Sequence, residues 1–335
     1  MQQTKTNTDA GGGALFKIRD PFECVQKEMV LVEKRLIQAV RSRENLLTDI
    51  CLHLVAGGGK RLRPLLALMA FKMMGGTKTT EIVDMATALE LIHTATLLHD
   101  DIIDDGERRR GRPSAYKRYG LTDTLVAGDF LFIKAFEYAG KFDERVVQWT
   151  ADACTSLTEG EILQSFHSHN PRVSLKDYME IVRRKTACLF HTGAKVGAYL
   201  AGAPEVQVRL VAEFGLNLGI CFQIMDDILD VIGTEELLGK PVGMDLRDGN
   251  PSLPIILAMK NGNKRIQSVF EKRSRSKAGV NTALNWIRNS DAIAQARRHS
   301  KKYALNAGAC LRRLPSSKHR EDLERLVELL VERTF

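Results

Sequence analysis

The sequence predicts an all-α protein. Apolar residues recur at three- and four-residue spacing almost throughout, while alternating strand-like runs and Asn-Gly hairpins between such runs are scarce. Gly and Pro punctuate the chain at intervals of helix length. In order, residues 1–13 are polar, end in Gly11-Gly12-Gly13 and lack the basic start and apolar block of a secretory signal, which predicts a disordered tail. Joints follow at Gly57-Gly58-Gly59, Gly75-Gly76, Gly111 to Pro113, Asn170-Pro171, Ala203-Pro204, Gly239 to Pro241 and Asn250-Pro251. They leave about ten to twelve helices. No repeat period or linker divides the rest, so residues 14–335 are expected to form one domain.

Two segments, 82–103 and 211–232, are apolar almost all round until each reaches a cluster of acids. A helix that is hydrophobic on every face is buried. Those acids are therefore expected at the ends of central helices. No apolar run reaches the roughly 20 residues that span a bilayer, because His93, His99 and Gln223 interrupt the richest ones.

Composition narrows the setting. With 335 residues, 44% of them hydrophobic, the chain can bury a sizeable core. The cysteines at 24, 51, 154, 188, 221 and 310 are far apart, with no CxxC pair and no histidines at metal-ligand spacing, which predicts small buried side chains in a reducing cytoplasm. The formal charge of +8 is concentrated in residues 260–320, where sixteen Lys or Arg face only Glu271 and Asp291. This reads as a solvated helical surface. No nucleic-acid partner is expected, and peripheral contact with anionic lipid stays open.

The chemistry lies in the acids. Asp100-Asp101-Ile-Ile-Asp104 and Asp226-Asp227-Ile-Leu-Asp230 both have the form DDxxD. On a helix, positions i and i+4 share a face, so Asp100 and Asp104 can reach one group of cations. Uncompensated, such carboxylates at the end of an apolar helix repel one another and resist desolvation. Magnesium suits them, being a hard ion held by one or two carboxylates together with substrate phosphates. Cationic side chains are placed as an anion site requires. Lys60 and Arg63 stand at i and i+3 after the glycine turn, and Arg108-Arg109-Arg110 follows the first acid cluster closely. Lys185-Thr186 and Lys240 are uninformative alone.

Taken together, the stretches GGGKRLRP, LIHTATLLHDDIIDDGERRRGRP, VAGDFLF, EGEILQ, KTACLF and GICFQIMDDILDVIG followed by LGKPVGMDLRDGNPSLP closely resemble the trans-isoprenyl diphosphate synthases, or polyprenyl synthetases. The match runs from about residue 55 to 260. The resemblance implies an isoprenoid-synthase helical bundle, usually a homodimer, with the two acidic motifs facing each other across a deep central cavity. By carry-over, Asp100, Asp104 and Asp226 would ligate three magnesium ions, with manganese as a substitute, and Asp101, Asp227 and Asp230 would support them directly or through water. Arg109, Lys185 and Lys240 would hold the allylic diphosphate, with Thr186 and Gln223 beside the reacting carbons. Lys60, Arg63, His93 and Arg110 would bind isopentenyl diphosphate.

The expected reaction is head-to-tail condensation. Charge building on the departing diphosphate is stabilised electrostatically, an allylic cation forms, and the double bond of isopentenyl diphosphate attacks it. In the resembling family the residues four and five positions before the first aspartate line the floor under the growing tail. Here they are Thr96 and Ala95, both small, which predicts a medium or long product such as a quinone side-chain precursor, made from a farnesyl or geranylgeranyl primer. Other readings are a shorter geranylgeranyl or farnesyl product, a catalytic subunit with a small accessory partner, and a non-enzymatic basic helical protein. A terpene cyclase fits less well, since its second metal motif is usually an Asn/Ser/Glu pattern.

Overall fold

The computed structural model describes residues 23–235, 241–272 and 276–332. The expected tail at residues 1–13, the joint at Gly239 and Lys240 lie outside the described residues. Among those described, sixteen α-helices account for nearly all regular structure. The count exceeds the ten to twelve expected, chiefly because one-turn and two-turn helices such as Ala115–Tyr119, Leu175–Val182 and Met244–Asp248 are too short to show a periodic pattern. The only described strands are Arg108–Arg109 and Arg112–Pro113, a two-residue hairpin closed by Gly111.

The bundle begins with a 3-10 turn, Glu23–Val25, then α1 (Gln26–Ala39), α2 (Asn45–Val55) and α3 (Leu62–Met73). Next come α4 (Thr79–Ile103), the short α5 (Ala115–Tyr119), α6 (Leu121–Ala139), α7 (Glu144–His167) and α8 (Leu175–Val182). A π-turn over Arg183–Ala187 joins α8 to α9 (Cys188–Leu200), which leads to α10 (Glu205–Ile232). The last elements are α11 (Met244–Asp248), α12 (Leu253–Lys260), α13 (Lys264–Glu271), α14 (Lys277–Arg288), α15 (Ala292–Arg312) and α16 (Lys318–Val331).

The two apolar segments are the central helices, as expected. α4 packs along α6 and α3, and α10 packs along α9 and α15. Side chains on all sides of α4 are buried, among them Ile82, Met85, Leu89, Leu91, Ile92 and Leu98, and on α10 Val211, Phe214, Leu218, Cys221, Ile224 and Ile228 are buried too. One correction concerns α10. At 28 residues, with a mean hydropathy of 1.4 over its richest window, it is long and apolar enough to cross a bilayer, but 72% of that window is buried inside the bundle, as a core helix requires.

No disulfide joins the six cysteines; Cys51, Cys188, Cys221 and Cys310 are buried as expected, whereas Cys24 and Cys154 are only partly so. The basic C-terminal stretch is a solvated face where it is clearest. α15 buries Ala292, Ala296, Ser300, Ala307 and Leu311 and turns Arg298, Lys301, Lys302 and Arg312 outward.

Candidate active site

The first DDxxD ends α4. Asp100 and Asp101 occupy its last turn, and Asp104 is the residue after it, its amide still bonded to the Asp100 carbonyl at 2.9 Å. The second lies wholly inside α10. They are joined by two consecutive residues of the π-turn. Lys185 Nζ stands 3.6 Å from Asp100 Oδ1, while the Thr186 hydroxyl donates to Gln223 Oε1 at 2.8 Å. Gln223 in turn donates to Asp227 Oδ1 at 2.8 Å. Adjacent side chains thus hold one motif each, and π-turns of this kind are common at functional sites.

Why the π-turn can sit there is visible in α7. A Cβ on Gly160 would meet the Lys185 backbone nitrogen at 2.6 Å, so only glycine lets the two elements approach. The approach brings Glu161 onto Lys185. Burial alone would weaken the charge on Lys185, but Asp100 and Glu161 outweigh it and raise its pKa above the ordinary lysine value.

The acids fall into two kinds. Asp227 is saturated by protein donors, with the Tyr178 hydroxyl at 2.7 Å and the Leu253 amide at 3.0 Å on its second oxygen. Asp230 accepts from the amides of Met244 and Asp245 at 3.3 and 3.1 Å. Asp101 is buried, and its Oδ1 receives Arg109 through Nε at 2.9 Å and Nη2 at 2.6 Å. These three carboxylates are engaged by the protein itself. Asp100 and Asp226 have lysines at longer range, Lys185 Nζ at 3.6 Å and Lys60 Nζ at 3.8 Å, and Asp104 is hydrogen-bonded to Asn250.

Magnesium is the cofactor the motifs imply, and this donor set fits it. Burial raises the pKa of Asp104, with Asp100 and Asp248 adding to the effect and Lys185 opposing it. Burial likewise raises Asp101, whose Oδ2 is buried without a hydrogen-bond partner. Crowded, partly desolvated carboxylate oxygens with cations at a distance are what a hard divalent ion neutralises.

Basic side chains gather beside the acids. Arg63 lies over the Phe190 ring at 5.1 Å and feels the charges of both Asp226 and Asp100. Lys60 lies over Phe222 at 5.5 Å. The Arg110 guanidinium donates to the Leu54 carbonyl at 3.0 Å and covers Gly59. His93 sits among these cations. Burial lowers its pKa well below the ordinary value, and Arg63, Arg110, Arg109 and Arg61 reinforce this, so the ring is neutral. One to two turns before the first motif, Ala95 is fully buried and the Thr96 hydroxyl turns back to the His93 carbonyl at 2.8 Å. His99 stacks at 6.0 Å on Phe132, which lines an apolar hollow of about 450 Å³ with Cys154, Thr155, Thr158 and Glu159.

Several participants were not singled out from the sequence. Arg61 is one, a buried left-handed residue whose guanidinium binds Glu33 at 2.6 Å, Glu90 at 2.8 Å and the Val55 carbonyl at 2.8 Å. Glu161, Asp248 and Asn250 are others, the last hydrogen-bonded to Asp104. All four sit in quoted motifs, Glu161, Asp248 and Asn250 as acids or amides near the two DDxxD groups, which was the available signal, and Arg61 between Lys60 and Arg63, where nothing set it apart.

The polyprenyl synthetase family model matches residues 44–287. The chain belongs to the polyprenyl synthetase family. This family member is 33% identical to octaprenyl diphosphate synthase of Haemophilus influenzae over 96% of its length and 98% of that protein. It is 34% identical to heptaprenyl diphosphate synthase component 2 of Geobacillus stearothermophilus, covering 96% of this chain and all of that one. A crystal structure of polyprenyl synthase from Caulobacter crescentus, complexed with calcium and isoprenyl diphosphate, superposes with a TM-score of 0.90 at 34% identity, covering 93% of this chain and 97% of that one. The family's members are prenyltransferases, and so is this protein.

Proposed function

We propose that the protein condenses isopentenyl diphosphate with an allylic diphosphate, repeatedly, to give a medium or long all-trans polyprenyl diphosphate. The observation that carries this reading is the bridge of Lys185 to Asp100 and of Thr186, through Gln223, to Asp227, which brings the two acidic motifs to one place. Asp100, Asp104 and Asp226 would hold magnesium, or manganese in its place. When bound, the ions neutralise the diphosphate and stabilise charge on it as it leaves.

The chain's own residues do the rest. Arg109 and Lys185, with Lys240, bind the allylic diphosphate and orient its C1 carbon toward the second substrate. Asp101, Asp227 and Asp230, each engaged by protein donors, position the ligating acids rather than coordinate directly. Lys60, Arg63 and Arg110 clamp isopentenyl diphosphate, and neutral His93 offers it a hydrogen bond without adding charge. The allylic C–O bond breaks, the isopentenyl double bond attacks the cation, and a proton leaves the adduct to the released diphosphate. Holding both substrates removes much of the entropic barrier. The tail extends past Ala95 and Thr96.

A homodimer fits the surface. Leu125, Val126, Ile133 and Phe136 of α6 and Ile162 and Phe166 of α7 are large apolar side chains left exposed, and a second copy seated there would cover them. Cysteines outside any disulfide fit a reducing compartment such as the cytoplasm. The likeness to a protein named component 2 favours a second reading, in which a small accessory subunit completes the enzyme. One assay tests both: incubate the purified chain with magnesium, labelled isopentenyl diphosphate and geranyl, farnesyl and geranylgeranyl primers, and size the product by chromatography. A single long product from the chain alone is expected. No turnover with any primer overturns the first reading, and activity restored only by an added subunit establishes the second.

A further inference from the structure

Far from the acidic motifs, Cys24 in the opening 3-10 turn meets His319 and Asp322 on the last helix, α16. A sulfur, an imidazole nitrogen and a carboxylate oxygen there all lie within 4.8 Å of one another. Three residues apart, His319 and Asp322 share one face of the helix. His319 Nδ1 is buried without a hydrogen-bond partner, and at 3.9 Å from Asp322 Oδ2 it is beyond hydrogen-bond reach of that carboxylate. The Cys24 thiol is hydrogen-bonded to Asp322. Lys72, the cation that acts on Cys24, is already paired with Glu28 at 2.7 Å.

We propose that Cys24, His319 and Asp322 form a zinc site, with water as the fourth ligand. The mixture of ligands selects the metal. Sulfur and imidazole suit a borderline ion such as Zn2+ and are poor ligands for magnesium, so the site would not compete for the catalytic ions. Geometry permits it. Tetrahedral zinc with these ligands has edges of about 3.5 Å, so rotations moving the donor atoms by about 1 Å close the set. The imidazole is 30% exposed and the carboxylate 18%, which leaves an entry path for the ion and room for the water. His319 Nδ1 gains the partner it lacks.

Bound zinc would tie the turn before α1 to α16, two elements that both pack on α3. It would therefore act on the stability of the fold and leave the acidic motifs untouched.

Cobalt reports such a site directly. Full-length protein stripped with a chelator and titrated with Co2+ in magnesium-free buffer should develop, at one equivalent, a thiolate-to-cobalt band in the near ultraviolet and strong visible bands of four-coordinate cobalt. One equivalent of Zn2+ should bleach both and raise the thermal midpoint. Cys24→Ser should abolish the near-ultraviolet band, and Asp322→Asn should weaken cobalt binding at least tenfold. Should Cys24→Ser fail to fold, His319→Gln, at a partly exposed ring, puts the same question through affinity. No band at one equivalent, or an undiminished band in Cys24→Ser that assigns the thiolate to another cysteine, overturns the proposal. Unchanged affinity in both Asp322→Asn and His319→Gln overturns it as well.

Discussion

The guanidinium of Arg110 rests on the backbone of Gly59, so close that a Cβ there would stand 2.7 Å from its Nη2. Gly59 also has φ +151°, where side chains are strained. Gly59→Ala should displace Arg110 and raise the KM for isopentenyl diphosphate by about tenfold, the equivalent of about 1.4 kcal/mol of strain. kcat should change less. Steady-state kinetics with each substrate varied in turn would show this, and a rise confined to the allylic substrate would contradict the placement of Arg110.

Arg61 neutralises two acids from different helices at the foot of the same loop. Removing it leaves Glu90, which is almost fully buried, without its cation. Arg61→Ala should cost about 3 to 5 kcal/mol of folding stability, as breaking one side of a buried ion pair does. Urea denaturation followed by circular dichroism measures it. A loss below about 1 kcal/mol would mean that Glu90 is compensated by another group.

Ligating and positioning acids should separate by phenotype. Asp100→Asn and Asp226→Asn should keep the fold and lose at least about a hundredfold in turnover. Asp227→Ala should lower stability instead, because it strands the Tyr178 hydroxyl and the Leu253 amide at about 1 to 3 kcal/mol for each buried orphan. Thermal melts beside turnover assays would distinguish the two classes, and full activity in Asp226→Asn would count against the metal assignment.

Ala95 has no exposed surface, and it lies five residues before the first aspartate on α4. Ala95→Phe should shorten the main product, at an overpacking cost of about 1 to 3 kcal/mol in stability. Reversed-phase chromatography of the dephosphorylated products reads the length directly. An unchanged product would place the floor at another residue.

Ile133 is 60% exposed and Phe136 41% exposed on α6. Replacing both with aspartate should convert a dimer to a monomer in light-scattering measurements while helicity is retained. A wild-type chain that is already monomeric would refute the homodimer.

The bundle and its two acidic helix segments were legible in the sequence because α4 and α10 are long, and burial on every side leaves a nearly unbroken apolar pattern. What stayed hidden was set by distance along the chain. Arg61 looks like its neighbours Lys60 and Arg63 until folding brings Glu33 and Glu90 to it, and spacing carries no sign that it is a strut while they lie near Asp226. The equal spelling of the two DDxxD motifs likewise conceals that Asp227 and Asp230 are spoken for by Tyr178, Leu253, Met244 and Asp245. Nor does an Arg-rich turn announce the hairpin Arg108–Pro113, since two residues per strand show no alternation.

That difference between the motifs makes the site an uneven vice. Two acids of the α10 jaw are bolted down by hydroxyl and amide donors, whereas on α4 Arg109 fixes Asp101 and Asp104 stands just beyond the last turn, hydrogen-bonded to Asn250 and within the field of Lys185. In the proposed reaction, where a diphosphate is gripped afresh at every round, we expect adjustment to fall to Asp104, with the second jaw as the fixed reference against which each round is aligned.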